Sequence, residues 1–166
     1  MERHFIQDHI EMMEKGYFVC GSRTKLGPIV SRRLIEDISL KLNVSELKAG
    51  FVLNGFRSKI LRNFLAERYA RVIDHMRGCN LAFWRNDFIS VNGYNEDLYD
   101  WGHEDGELVY RMHYAGVGKK ALKMGGIVYH LWHKEASRDN EVKDLEAIEI
   151  VKRERIRWCS NGMDKY

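Results

Sequence analysis

The stretch NGYNEDLYDWGHEDGELVYR, residues 92–111, decides how this chain is read. Its core is Trp101-Gly102-His103-Glu104-Asp105. Residues 103–115 (HEDGELVYRMHYA) are predicted to form a helix closed by Gly116, so Glu104 and Asp105 fall where that helix begins. Acidic groups there gain from the helix dipole and from unpaired backbone N–H groups, and both effects favour the ionised carboxylate. An ionised carboxylate in a cleft can act as a general base on a sugar hydroxyl. Trp101 offers a flat apolar face of the kind sugar rings stack on. The same residues also fit simple helix capping beside a core tryptophan, and the segment alone leaves both readings open.

Outward from this segment, CNLAFWR (residues 79–85) reads as a central strand, NDFISV as a short helix and Asn92-Gly93 as a turn. KKALKM and IVYHLW read as two strands around Gly125-Gly126. Residues 140–158 read as a charged helix with Val142, Leu145, Ile148 and Val151 inward. Towards the N-terminus, residues 5–15 place Phe5, Ile6, Ile10 and Met13 at helical spacing, Gly16 stops that helix, and YFVC (residues 17–20) reads as a buried strand. Residues 21–33 read as an irregular basic connection around Gly27 and Pro28. Residues 56–76 carry a second amphipathic pattern, through Phe56, Ile60, Phe64, Leu65, Tyr69, Val72, Ile73 and Met76. Its polar face is basic, with Arg57, Lys59, Arg62, Arg68, Arg71 and Arg77 outnumbering Glu67 and Asp74. That face is either the solvated side of a core-packed helix or a surface for an anionic partner, such as a lipid-linked phosphate or the membrane face. Helices and strands mix without clean βαβ repetition, which predicts a mixed α/β layer that is incomplete, in a single domain spanning residues 1–166.

Composition narrows the classes. Apolar residues make up 45% and charged residues 31% of the 166, ordinary for a soluble globular domain. No run approaches the roughly 20 apolar residues of a membrane span, and MERHFIQDHIEMMEKG has no apolar core of a signal peptide. A net charge of +3 is too weak to imply nucleic-acid binding. Cys20, Cys79 and Cys159 are odd in number and lack metal-like spacing, so a reducing, cytoplasmic setting is expected.

A second candidate cluster lies at Tyr129-His130-Leu131-Trp132-His133. Two histidines three apart can converge on one cation if the strand bends, and neutral imidazole is a good, unselective ligand for Mn²⁺ and similar ions. The alternative is a partly buried histidine packed beside Trp132.

The order NGY…DWGHED…YR resembles the C-terminal signature of the β-1,4-galactosyltransferase-like group and related family 2 glycosyltransferases. There a G-x-x-x-A strand precedes NGF, an aromatic, WGxED and a helix ending in Arg. Gly78, Ala82, Asn92-Gly93-Tyr94, Trp101-Gly102, Glu104-Asp105 and Arg111 occupy those places, over roughly residues 77–134. The resemblance implies the C-terminal, acceptor-binding half of a GT-A fold. It implies Asp105 as catalytic base with Glu104 beside it, and Trp101, Gly102, Glu104, Tyr94 and Arg111 around the acceptor. Gly78 falls to the donor side. His133 and His130 are implied as ligands of Mn²⁺ or Mg²⁺, and Ser137-Arg138-Asp139-Asn140-Glu141 resembles the loop that follows. The sequence departs from the signature where His103 stands for a second Gly and Gly106 for a third acid.

No Asp-x-Asp motif occurs in the chain, and no Gly-rich phosphate loop. By the resemblance, the nucleotide-binding, Rossmann-like half and its Asp-x-Asp strand are expected just upstream of residue 1, and the chain alone is expected to be inactive. The expected function is inverting, metal-dependent sugar transfer from a nucleotide sugar, UDP-linked, to a sugar or lipid-linked saccharide. The expected setting is bacterial surface polysaccharide or lipopolysaccharide synthesis at the inner membrane face. A homodimer covering the exposed edge of an incomplete layer is also expected. The competing function is a non-catalytic carbohydrate- or partner-binding domain. A metal-dependent hydrolase is disfavoured because no further ligand motif, such as H-E-x-x-H, appears.

Overall fold

In the computed structural model, which describes residues 1–74, 76, 78–99, 103–134 and 141–166, the fold is built around β1 (Tyr17–Gly21). β1 pairs in parallel with β4 (Gly118–Leu122) on one side and antiparallel with β3 (Leu81–Ala82) on the other. Its run is apolar without alternation because both of its faces are covered. Phe18 and Cys20 face one core with Leu108, Val109 and Met112 of α5 (Glu104–Tyr114). Val19 points the other way, with Leu122, onto Met12 of α1 (Phe5–Met12) and Ala66 of α3 (Lys59–Ala70). The class is therefore mixed α/β, as the sequence predicts. CNLAFWR, however, supplies only a two-residue edge strand, and the central position belongs to β1.

Both parallel strands continue into a second ladder. β2 (Arg23–Lys25) pairs in parallel with β5 (Val128–His130), so the stretch read as irregular contains a strand and, after Gly27, the helix α2 (Pro28–Glu36). Where the ladder passes from β1/β4 to β2/β5, the side-chain amide of buried Asn80 donates to the carbonyls of Ser22 and Gly126, both at 2.8 Å. Gly126 adopts φ +52° there, and a β-carbon on Gly21 would lie 2.2 Å from the Asn80 amide. The bend thus depends on two residues without side chains and one amide. Pro28 opens α2 at a position where its missing N–H costs nothing.

The two helices that carry apolar stripes in the sequence also bury charge. On α1, Asp8 is buried, whereas Ile6, Ile10 and Met13 are exposed around a shallow apolar groove. On α3, Arg62 is buried and Ile60 and Phe64 are exposed. The Asp8 carboxylate accepts two nitrogens of Arg57, Nη1 of Arg62 at 2.8 Å and the backbone N–H of Gly126 at 2.9 Å. Arg62 and Lys59 also reach Glu11, whose carboxyl is brought down to about 2 by hydrogen bonds from Lys59 and then Arg62. This network joins α1, α3 and the bend before β5. On the last helix, α6 (Glu141–Glu154), Ile148 and Val151 pack inward as expected, while Val142 and Leu145 are exposed.

The network predicts a pH dependence. Burial alone would raise the Asp8 carboxyl, but the hydrogen bonds from Arg57 and Gly126 and the charges of Arg57 and Arg62 outweigh it and leave it lowered. A carboxyl lowered by folding stabilises the fold above its unfolded value of about 3.9, and that contribution is lost as pH falls through the folded value. Asp8→Asn is therefore expected to destabilise the protein at pH 7 by about 3 kcal/mol, the typical loss when a buried pair is broken. Its melting temperature should fall less steeply than that of the wild type between pH 5 and pH 3. Parallel melting curves across that range would remove Asp8 from the acid response.

Candidate functional site

Helix α5 begins at Glu104 with His103 as its cap residue and no side-chain cap; Glu104, Asp105 and Glu107 occupy its first turn. Two elements define the Asp105 carboxylate. The Tyr94 hydroxyl donates to Oδ1 at 3.0 Å. On the other side the carboxylate lies against Gly78, where a β-carbon would come 1.6 Å from Oδ2. Gly78, which the resemblance places on the donor side, is thus the surface the Asp105 carboxylate rests on, and any side chain there would displace that carboxylate. Burial, and then the charge of Asp105, push the Tyr94 hydroxyl well above its ordinary value, so it remains a proton donor.

Tyr94 is held in turn by the turn before it. Asn92 and Gly93 both have positive φ, 63° and 67°. Arg111 of α5, fully buried, donates to the carbonyls of Val91 and Gly93 and forms a two-point pair with Glu107. The sequence reading gave Arg111 to the acceptor; its guanidinium is engaged inside the core, where it fixes the turn that carries Tyr94. Asn92 is likewise buried, tying this turn to Cys159 and Asp164 near the C-terminus.

Glu104 and Asp105 line two separate clefts. One, of about 550 Å³, also has Arg23, Asp74, Gly78 and Cys79 in its walls. The other, of about 450 Å³, is lined by Tyr94, Leu98 and Tyr99. Trp101 and Gly102, the remaining acceptor candidates, lie outside the described residues, as do Ser137-Arg138-Asp139-Asn140 of the following loop. The departure at Gly106 has a packing correlate: a β-carbon there would sit 2.9 Å from Cδ1 of Ile148, so a third acid would require the Ile148 side chain of α6 to shift.

The histidines converge. His130 ends β5, and its Nε2 lies 3.3 Å from Nε2 of His133. Two imidazole nitrogens bound to one ion at about 2.1 Å each would stand at similar separation, so the pair fits as part of a ligand set. Among the described residues no third His, Cys, Asp or Glu joins them. Burial, followed by the positive charges of Arg23, His133 and Lys25, lowers His130 and favours the neutral, ligating imidazole. Trp132 is not stacked on the pair; its backbone N–H donates to Ser31 Oγ at 2.7 Å.

Sequence reasoning missed Arg23. It lies in a stretch whose sequence reads as an irregular connection, although Arg23-Thr24-Lys25 alternates polar and buried residues with the period of a strand continuing from β1.

A family model described as the N-terminal domain of galactosyltransferase matches residues 59–134, a little under half of the chain. The matched segment is galactosyltransferase-like, which supports glycosyltransferase activity in general, with nucleotide-sugar and acceptor binding. It contains Gly78, Tyr94, Glu104, Asp105, Arg111, His130 and His133. Its description does not extend to the C-terminal half of a GT-A fold. No curated protein matches the chain.

Proposed function

We propose that this chain carries the acceptor site and catalytic base of an inverting glycosyltransferase of the GT-A type, in its C-terminal portion, acting on a UDP-linked sugar. The observation that supports this most is that Glu104 and Asp105 line both clefts, one aromatic and one containing a cation. A base between two substrates is what a single displacement requires. The acceptor saccharide lies in the cleft of Tyr94 and Tyr99, with Glu104 holding the reacting hydroxyl. Asp105, at the helix start, takes the hydroxyl proton as that oxygen attacks the anomeric carbon, and the nucleoside diphosphate leaves on the opposite face. Tyr94 fixes one carboxylate oxygen of Asp105, and Arg111 fixes Tyr94 through the Gly93 carbonyl. Mn²⁺ or Mg²⁺, held by His133 and His130 with further ligands, would supply Lewis-acid neutralisation of the leaving diphosphate.

Exposed Ile60 and Phe64 stand on α3 with Arg68, and Arg71 follows as its C-cap, an arrangement suited to an anionic membrane surface and a lipid-linked acceptor. This favours surface-polysaccharide or lipopolysaccharide synthesis at the cytoplasmic face. The absence of Asp-x-Asp from the sequence favours a second reading, a non-catalytic saccharide-binding domain. Sugar-transfer assays over a panel of UDP-sugars separate the two. They are run with the chain alone and with an Asp-x-Asp-bearing nucleotide half supplied. Transfer that depends on Asp105 supports the enzyme; saccharide binding without transfer under either condition supports the second reading.

The metal assignment has its own test. In Mn²⁺ titrations followed by electron paramagnetic resonance, His133→Ala is expected to weaken binding by about tenfold or more, since even loss of an outer-shell partner typically costs that much. His130→Ala should weaken it less. Identical titrations for both variants and the wild type would return the pair to a structural role.

A further inference from the structure

We propose that the face of the β2–β5 ladder bearing Arg23 and Lys25 is a phosphoryl-binding surface; its link to sugar transfer rests on the function proposed above. The register pairs Arg23 with Val128 and Lys25 with His130, and directly paired residues share a face. Arg23, Lys25 and His130 therefore stand together, while Thr24 points to the buried side, where its hydroxyl donates to the Phe51 carbonyl at 2.9 Å.

These two cations differ from the other basic groups near the site. Arg57, Arg62, Arg111, Lys120 and Lys152 all lie against carboxylates. Among the described residues, no carboxylate lies within ion-pair distance of Arg23 or Lys25. Nη1 of Arg23 meets only the sulfur of Cys79, at 4.0 Å, and its Nε is buried with no acceptor. Lys25 Nζ rests over the Phe51 ring, 5.4 Å from its centroid. A buried guanidinium N–H without an acceptor is disfavoured unless a ligand provides one. A planar guanidinium beside a lysine suits the oxygens of a phosphoryl group, the first by paired hydrogen bonds and the second as a point charge.

Location gives the surface its role. Arg23 lines the cavity that contains Gly78, Glu104 and Asp105. The carboxylates that line the same cavity, Asp74, Glu104, Asp105 and Glu149, repel an anion, so a phosphoryl group there would settle on Arg23. Two sources share this chemistry: the diphosphate of a nucleotide-sugar donor and the phosphate of a lipid-linked acceptor.

The test is calorimetric titration of the full chain with inorganic pyrophosphate, without divalent metal. The wild type is expected to bind, more weakly as salt rises. Arg23→Gln should weaken binding by about 10- to 100-fold, the usual loss for hydrogen bonds to a charged group. Arg23→Lys should retain part of the affinity, and Lys25→Gln should lose several-fold, with melting temperatures showing that each variant is folded. Displacement of pyrophosphate by UDP assigns the surface to the donor, and displacement by farnesyl phosphate assigns it to the acceptor; both outcomes support it. Wild-type affinity in Arg23→Gln, or no pyrophosphate binding by the wild type, overturns it. Because the readout is binding, Arg23-dependent pyrophosphate binding without any sugar transfer keeps the surface and sinks the transferase reading. Transfer without Arg23-dependent binding does the reverse.

Discussion

Asp105→Asn, assayed with the nucleotide half supplied, is expected to lower kcat for sugar transfer by about 10²- to 10⁴-fold, the usual contribution of a general base. That loss corresponds to roughly 3 to 5 kcal/mol of barrier. The amide is nearly isosteric with the carboxylate. It can still accept the Tyr94 hydroxyl at Oδ1 and still fits over Gly78, so the helix start and both clefts keep their shape. What it cannot do is take the hydroxyl proton. Donor and Mn²⁺ affinities should stay within a few-fold of wild type. Glu104→Gln should raise the acceptor KM as well as lower the rate, as the hold on the acceptor hydroxyl proposed for Glu104 requires. Tyr94→Phe should have a smaller effect on kcat than Asp105→Asn, since it frees the carboxylate without removing it. If Asp105→Asn stays active while Glu104→Gln is dead, the two acids have exchanged roles. If both remain active, the first turn of α5 is only a favourable helix start.

The elements around this site were legible in the sequence for local reasons. Carboxylates at a helix start, an Asn-Gly turn and a glycine closing α5 are signals carried by adjacent residues, and each forms where it was expected. The apolar run of β1 was legible because both of its faces are buried. What escaped was set by partners far apart in the chain. Asp8 meets arginines 49 and 54 residues away, and once two cations stabilise its carboxylate, α1 turns that face inward and leaves Ile6 and Ile10 outside. Hydrophobic periodicity counts apolar side chains, so it marked the apolar stripes of α1 and α3 but not the buried Asp8 and Arg62. The same blindness hid Arg111. A basic residue near a helix end reads as solvent- or ligand-facing, and only the fold brings it to Glu107 and the carbonyls of the Asn92-Gly93 turn. Gly106 could not be interpreted without α6, because its reason is the Ile148 side chain from a helix forty residues on.

Arg111→Ala is expected to be the most destabilising single change near the site. The Arg111–Glu107 pair is fully enclosed and runs in the favourable direction, with the acid four residues before the base. Removing the guanidinium leaves the Glu107 carboxylate buried without its cation and takes donors from the Val91 and Gly93 carbonyls. Breaking a buried pair typically costs about 3 to 5 kcal/mol. In a domain of this size that is a drop in Tm of about 6 to 20 °C. A double variant, Arg111→Met with Glu107→Met, removes both charges and fills similar volume, so it should recover much of the loss. It should not recover the rate. Nothing in that variant donates to the Gly93 carbonyl, so the turn that aims the Tyr94 hydroxyl at Asp105 is no longer held by α5. A stable double variant with reduced kcat would separate positioning from folding. A single Arg111→Ala variant melting within about 2 °C of the wild type would mean that the pair contributes little and that Tyr94 is held by its own packing against Phe88.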